Sequence, residues 1–148
     1  MGYYGRVSFS LDMALDRLAR SYRVDVVYAF GSRGAEVAGS LSGAQVPSDP
    51  SASDIDIGVQ PQRGHRLTAR ERVRLTLELE GIFGASRVDL VVLPEANVFL
   101  AAEVVRGELL YARDLDEESA LQLYYLRRAG DLAPFFRESW LETVGSDL

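Results

Sequence analysis

Asp54 and Asp56 stand on alternate positions of the stretch "SDIDIGV", and a third aspartate, Asp89, stands in "RVDLVVL" between valine and leucine. Residues two apart on a strand share a face, so a strand here turns both acids one way and sends Ile55 and Ile57 into a core. Two carboxylates about 4 Å apart repel by roughly 4 kcal/mol at an effective dielectric near 20. A bare D-x-D is most often a solvated strand face. Asp89 argues against that, because it is a second case of an acid set within an apolar strand. Three carboxylates on two strands of one small sheet supply the all-oxygen donor set that a hard cation such as Mg²⁺ prefers.

The apolar run "VDVVYA" leads straight into "FGSRGAEVAG". A glycine at a strand exit lets the backbone approach a ligand closely, and the turn that follows would aim amide groups and the Ser32 hydroxyl at an anion. Alone, Gly31-Ser32 is an ordinary strand-ending turn. Beside three carboxylates it reads as a triphosphate site, with phosphate held by amides and metal bridging it to aspartate, the arrangement of phosphoryl or nucleotidyl transfer.

Composition closes other routes. There is no cysteine, so thiolate metal sites, disulfides and thiol nucleophiles are out. The single histidine, His65, lies in the turn-like "QPQRGHR" and reads as a solvated loop side chain. All 16 basic residues are arginine, which rules out a P-loop lysine and a Schiff base. A net charge of −6 repels long nucleic acid, though not a nucleotide clothed in metal ions. No apolar run reaches the length of a membrane span, and "MGYYGRVSFSLDMALDRLA" carries acids inside its apolar part, unlike a signal peptide. A cytoplasmic location is the expectation.

The elements that must position these residues follow from periodicity and punctuation. "SLDMALDRLARSY" has helical spacing with Ser10 as N-cap, and "RVDVVYAF" reads as a strand. From Gly39 to Ser53 glycine, serine and proline dominate, the mark of a surface loop. "DIDIGVQ" is a second strand, and "TARERVRLTLELEGIFG" is a helix with a Thr68/Glu71 capping box and with Gly81 and Gly84 at its end. "RVDLVVL" is a third strand stopped by Pro94, "NVFLAAEVVRG" a helix capped by Asn97 and ended by Gly107, and "ELLYAR" a short fourth strand. Two apolar-periodic stretches, "EESALQLYYLRRAG" and "DLAPFFRESWLETV", make the remainder helical. The chain, 148 residues long, has the length of one domain. The expected fold class is α+β, a small mixed sheet of three to four strands backed by helices, as one domain over 1–148 with a helical tail over 115–145.

The array "VVYAFGSRG", "SDIDIGV" and "RVDLVVLPEA", with "AAEVVRGELLYARD" behind it and "YYLRRAGDLAPFFRESWLE" as closing helices, resembles the minimal nucleotidyltransferases (MNT) of the polymerase-β-type superfamily. That resemblance implies the polymerase-β-type nucleotidyltransferase fold and a transferase using ATP with two Mg²⁺ ions. It implies that Asp54 and Asp56 bind the metals, that Asp89 completes one metal site and helps deprotonate the attacking hydroxyl, and that Gly31, Ser32 and Arg33 hold the nucleotide. It further implies an antitoxin paired with a HEPN-type toxin, with AMP passed from ATP to a hydroxyl such as a tyrosine of that partner. Two alternatives stay open: a non-catalytic nucleotide-binding antitoxin that caps its partner, and a transferase acting on a small molecule. A homo-oligomer is also left open.

The sequence departs from the family pattern in one respect. Residues 33 to 53 separate Ser32 from Asp54, longer than the family expects, and the excess lies in the Gly/Ser/Pro-rich stretch. Such an insertion costs little because closure entropy grows only logarithmically with length. The stretch from Gly39 to Ser53 reads either as a gate over the nucleotide or as a passive insertion. Deleting residues 41 to 50 separates the two, since a gate requires weaker nucleotide binding or slower transfer. Tyr124, Tyr125, Phe135, Phe136 and Trp140 in the tail read as core, with a docking face as the alternative.

Overall fold

The computed structural model describes residues 3–41 and 54–146, with side chains over 11–41 and 54–135. Helix α1 (Tyr3–Ser21) leads into β1 (Val24–Phe30), a 3₁₀ turn (Gly31–Arg33) and α2 (Gly34–Leu41). Strand β2 (Ile55–Pro61), α3 (Ala69–Phe83) and β3 (Val88–Val92) follow, then a second 3₁₀ turn (Leu93–Glu95), α4 (Val98–Val105), β4 (Glu108–Ala112) and α5 (Leu115–Ser146). The sheet order is β3-β2-β1-β4, with β1 antiparallel to both β2 and β4 and with β2 parallel to β3. The parallel pair requires a crossover, which α3 provides. This is the α+β architecture with a small mixed sheet that the periodicity implied.

Both faces of the sheet are covered. Ile55, Ile57 and Val59 of β2 and Val27 and Ala29 of β1 pack against Leu15 and Leu18 of α1, Val37 of α2 and Leu75, Leu79 and Phe83 of α3. The alternate residues Val26, Tyr28 and Phe30 pack on the other face, against Ala101, Val104 and Val105 of α4 and Tyr125 of α5. Val24 sits out of phase, on the α1 side, because the β1–β2 register shifts between Val24 and Val26. Packing is close where α4 meets the sheet: a Cβ on Gly58 would collide with the Val104 side chain. A Cβ on Gly107 would collide with the Ala29 carbonyl.

The helix ends are fixed as their sequences suggest. Thr68 Oγ1 accepts from the Glu71 amide at 3.1 Å, and Glu71 Oε1 accepts from the Thr68 amide at 3.0 Å. Gly84 ends α3 in the left-handed region at φ 62°, where a glycine costs nothing, while Gly81 lies inside the helix. Asn97 Oδ1 caps α4 by accepting from Phe99 and Leu100.

Four readings are corrected. α1 begins at Tyr3, so Ser10 lies within the helix and does not cap it; no proline stands between them, and Gly5 near the helix start weakens the helix without ending it. Residues 34–41 form α2, so the first part of the expected loop, Gly39 to Leu41, is helical. The rest of that stretch, and with it most of the gate, lies outside the described residues. The tail is one helix running through Pro134, which forfeits a hydrogen bond without ending it. In that tail Tyr125 is buried at 8%, as a core residue should be, whereas Tyr124 and Phe135 are exposed. The side chains of Phe136 and Trp140 lie outside the described residues.

Helix α5 is pinned to β1 by a buried polar triad. The fully buried Tyr28 donates its hydroxyl to Glu118 Oε1 at 2.5 Å, and Gln122 Nε2 donates to the same oxygen at 2.6 Å. Burial, with the adjoining carboxylate, pushes the Tyr28 phenol up, so it remains a donor. Tyr28→Phe would leave the buried carboxylate short of a donor. The expected loss is about 1–3 kcal/mol of stability, read from urea unfolding, with the sheet retained.

Candidate active site

The parallel register of β2 and β3 places Asp56 beside Asp89, and the antiparallel register of β1 and β2 places Phe30 on the other side of Asp56. Because Ile55, Ile57 and Val88 face the α1–α3 core, Asp56 and Asp89 both emerge on the α4 face. Asp54 immediately precedes β2. The acids read from sequence therefore share one end of the sheet. That end is anchored from behind: Glu80 of α3 accepts from the Val88 amide at 3.0 Å, and Ile55 donates to the Arg87 carbonyl at 3.2 Å.

Gly31 stands against the same cluster. Its φ is +74°, and a Cβ there would collide with Asp56 Oδ2. Only a residue without a side chain lets β1 turn this close to the carboxylate. The turn at Gly31–Arg33 passes directly into α2, so the positive end of a helical dipole opens next to Asp56. Gly31 and Ser32 are exposed. Arg33 is folded toward α2, its Nε 3.4 Å from Glu36 Oε2.

Two charged residues belong to this end of the sheet that the sequence reading left out. Arg87, the residue before β3, brings its Nε to 3.4 Å from Asp54 Oδ2 and 3.6 Å from Asp89 Oδ1. Glu103 of α4 adds a fourth negative charge near Asp56. Its neighbour Val104 is the residue pressed onto Gly58, which carries Glu103 to the sheet. An acid inside the apolar "AAEVVRG" was the available signal, the same signal that marked Asp89.

These charges act on Asp56 most strongly. Burial, then Asp89, Asp54 and Glu103, raise its pKa above 3.8. Arg87 serves the outer two acids, and no ion pair among the described residues includes Asp56. In kind, the donor set suits a hard divalent cation, being all oxygen and rich in unneutralised charge. It is not gathered as a finished ligand shell: among the described residues no three acidic or histidine side chains converge closely enough to hold a metal. A cation entering here would have to share Asp54 and Asp89 with Arg87 or displace it.

His65 is placed differently from its sequence reading. Its Nε2 is buried without a hydrogen-bond partner among the described residues, 3.7 Å from Glu71 Oε2, so it packs on the first turn of α3 and is no solvated loop side chain. It lies apart from the acids.

Residues 14–116 match the family model described as Polymerase beta, Nucleotidyltransferase. None of the curated protein sequences matches the chain. Among solved structures, the chain is similar to one of a toxin–antitoxin with AMP-PNP, at 23% identity and a TM-score of 0.64, covering 90% of this chain and 97% of that one. It is also similar to the tri-AMPylated Shewanella oneidensis HEPN toxin in complex with MNT antitoxin, at 21% identity and a TM-score of 0.63, covering 93% and 98%. A third, of the toxin–antitoxin MntA-HepT, gives 20% identity, a TM-score of 0.63 and coverage of 92% and 97%. At such identities the likeness speaks for the fold.

The charge on Asp56 works against folding. With its native pKa raised above the unfolded value, stability is fully present in acid and is lost as pH rises through the native pKa. In metal-free buffer at neutral pH, Asp56→Asn is therefore expected to melt above the parent. The difference should close well below the unfolded pKa, at about pH 3 and lower, where the carboxyl is mostly protonated in both states. Thermal melts across pH in a chelating buffer check this, and equal melting temperatures at neutral pH would contradict it.

Proposed function

The chain belongs to the Polymerase beta nucleotidyltransferase family, and from that premise we propose that it transfers AMP from ATP to a hydroxyl of a HEPN-type partner protein, acting as its antitoxin. The observation that carries the reading is the register that sets Asp56 beside Asp89 with Gly31 closed against the Asp56 carboxylate. Support for the nucleotide and the partner comes from the similar structures, one with AMP-PNP and one of an AMPylated HEPN toxin with its MNT antitoxin.

In this reading Asp54, Asp56 and Asp89 would hold Mg²⁺, two ions being the expected number. Bound there, Mg²⁺ neutralises phosphate charge and makes the attacking hydroxyl more acidic. Asp89 takes the hydroxyl proton, the oxygen attacks the α-phosphorus of ATP, and the bond to pyrophosphate breaks in line, leaving an AMP ester on the acceptor. The Gly31–Ser32 turn cradles the triphosphate with its amides and hydroxyl, and its closeness to Asp56 keeps phosphate and metal ligands within one reach. Arg33 joins only when its guanidinium leaves Glu36. Glu103 concentrates negative charge and so favours the metal-bound form. A cytoplasmic location belongs to this reading, because it takes ATP as the substrate. Among the described residues no helix is long and apolar enough to cross a membrane.

A second reading has two observations in its favour. Arg87 already occupies Asp54 and Asp89, and among the described residues no three acids form a ready metal shell. A protein that only caps its partner, with the nucleotide site idle, would tolerate that arrangement. Neutralisation of a co-expressed toxin by Asp54→Asn, as full as by the parent, would favour capping.

The direct test is the intact mass of the partner after incubation with this protein, ATP and Mg²⁺. An added adenylate is expected, and the Asp54→Asn/Asp56→Asn double variant should slow its appearance by at least about 100-fold. Undiminished transfer by that variant would remove these acids from the chemistry. Gly31→Ala is expected to weaken Mg²⁺·ATP binding by about tenfold or more, measured by calorimetry, since the added methyl both strains a positive φ and displaces the Asp56 carboxylate.

A further inference from the structure

Arg87 is exposed over 69% of its side chain, yet its guanidinium Nε lies within 3.6 Å of carboxylate oxygens from two different elements, Asp54 at the head of β2 and Asp89 in β3. Its backbone does not share that freedom. The Arg87 carbonyl accepts from the Ile55 amide at 3.2 Å, which ties the residue into the β2–β3 ladder one position before Val88. The backbone is anchored in the ladder, while the side chain lies at the surface. The pairing is also uneven, since Arg87 takes the outer two acids while Asp56, the most burdened by its neighbours, has no ion-pair partner among the described residues.

We infer that Arg87 is a built-in counter-cation that holds Asp54 and Asp89 in place until a divalent cation displaces it, and so sets the metal concentration at which the site fills. The inference rests on the reading of these acids as metal ligands. Exposed ion pairs are weak and exchange readily, so the guanidinium can be displaced. A divalent cation brings twice the charge and bonds directly to oxygen, and it is also drawn to Asp56, which Arg87 leaves uncompensated. While it stays, Arg87 weakens the local negative potential and occupies oxygens that the metal needs. Keeping the acids together without metal and delaying the metal's entry are two effects of the same contact.

Two opposite roles can be told apart by sign. If Arg87 competes with metal, removing its charge tightens metal binding; if it orders the carboxylates for metal, removing it loosens binding. Mn²⁺ titrated by calorimetry into the metal-free full chain, without nucleotide, reads this independently of transfer activity. At about 20 mM salt Arg87→Gln is expected to bind Mn²⁺ about five- to tenfold more tightly than the parent, and at about 0.5 M salt the gap should shrink as the charge is screened. Arg87→Lys, which keeps the charge but as a point charge can sit on only one of the two carboxylates, should tighten binding clearly less than Arg87→Gln does. Equal or weaker binding by a folded Arg87→Gln protein would overturn the inference. Tightening in Arg87→Lys as large as in Arg87→Gln would do so as well, because charge would then not be the competitor. In both of those cases, parental binding that Asp54→Asn/Asp56→Asn abolishes leaves the metal reading standing. No Mn²⁺ binding by the parent overturns both.

Discussion

Like charge held at close quarters is the constraint on which the rest of this structure depends. Asp56 and Asp89 are neighbours because β2 and β3 pair in parallel in one register, and a slip by a single residue would turn the acids of one strand into the apolar core. The fold keeps them together against their repulsion by burying what lies behind them. Ile55, Ile57 and Val88 are locked among α1, α2 and α3, so the carboxylates cannot separate without exposing that core. Part of the stability from apolar burial is thus committed to an unfavourable arrangement of charge, which the raised pKa of Asp56 records.

The supporting elements act on that register from both faces. On one side the crossover helix α3 starts at a reciprocal cap on Thr68 and ends at Gly84. Just before that end, Glu80 reaches the Val88 amide, so helix length and strand start are fixed together. On the other side α4 lies close enough to forbid a side chain at Gly58, which brings Glu103 to the acids. The buried Tyr28–Glu118–Gln122 contact then ties α5 to β1, the strand whose exit at Gly31 closes on Asp56. Strand, turn and helix each restrict the position of the same carboxylate.

Cationic balance at this end of the sheet comes from arginine alone, since the chain has no lysine. One arginine, Arg33, is engaged with its own helix neighbour Glu36, and another, Arg87, bridges two strands. A planar guanidinium can span carboxylates on separate elements where a point charge would sit on one. The electrostatic state of the site is therefore set partly by an exposed contact, that of Arg87, which a side-chain rotation can remake while the residue's backbone stays paired to Ile55.

Local signals in the sequence determined much of this protein: the alternation of Asp54 and Asp56 with Ile55 and Ile57, the caps at Thr68 and Asn97, the stop at Gly84, and four strands with a helix after each but the first. These are readable because periodicity and capping act over a few residues. The same local logic failed where distant partners intervene. It took residues 39–41 for loop although they close α2, gave Ser10 a cap inside a longer helix, split α5 in two, and sent His65 to solvent when it packs on α3. Sequence placed three acids on strands, but only tertiary structure decided that β2 and β3 are adjacent and that Asp56 meets Asp89. It also decided that Gly31 lies on the Asp56 carboxylate and that Arg87 and Glu103 share their field. The physical reason is that strand pairing and electrostatics join residues far apart in the chain, and their sum depends on distances no stretch of sequence contains.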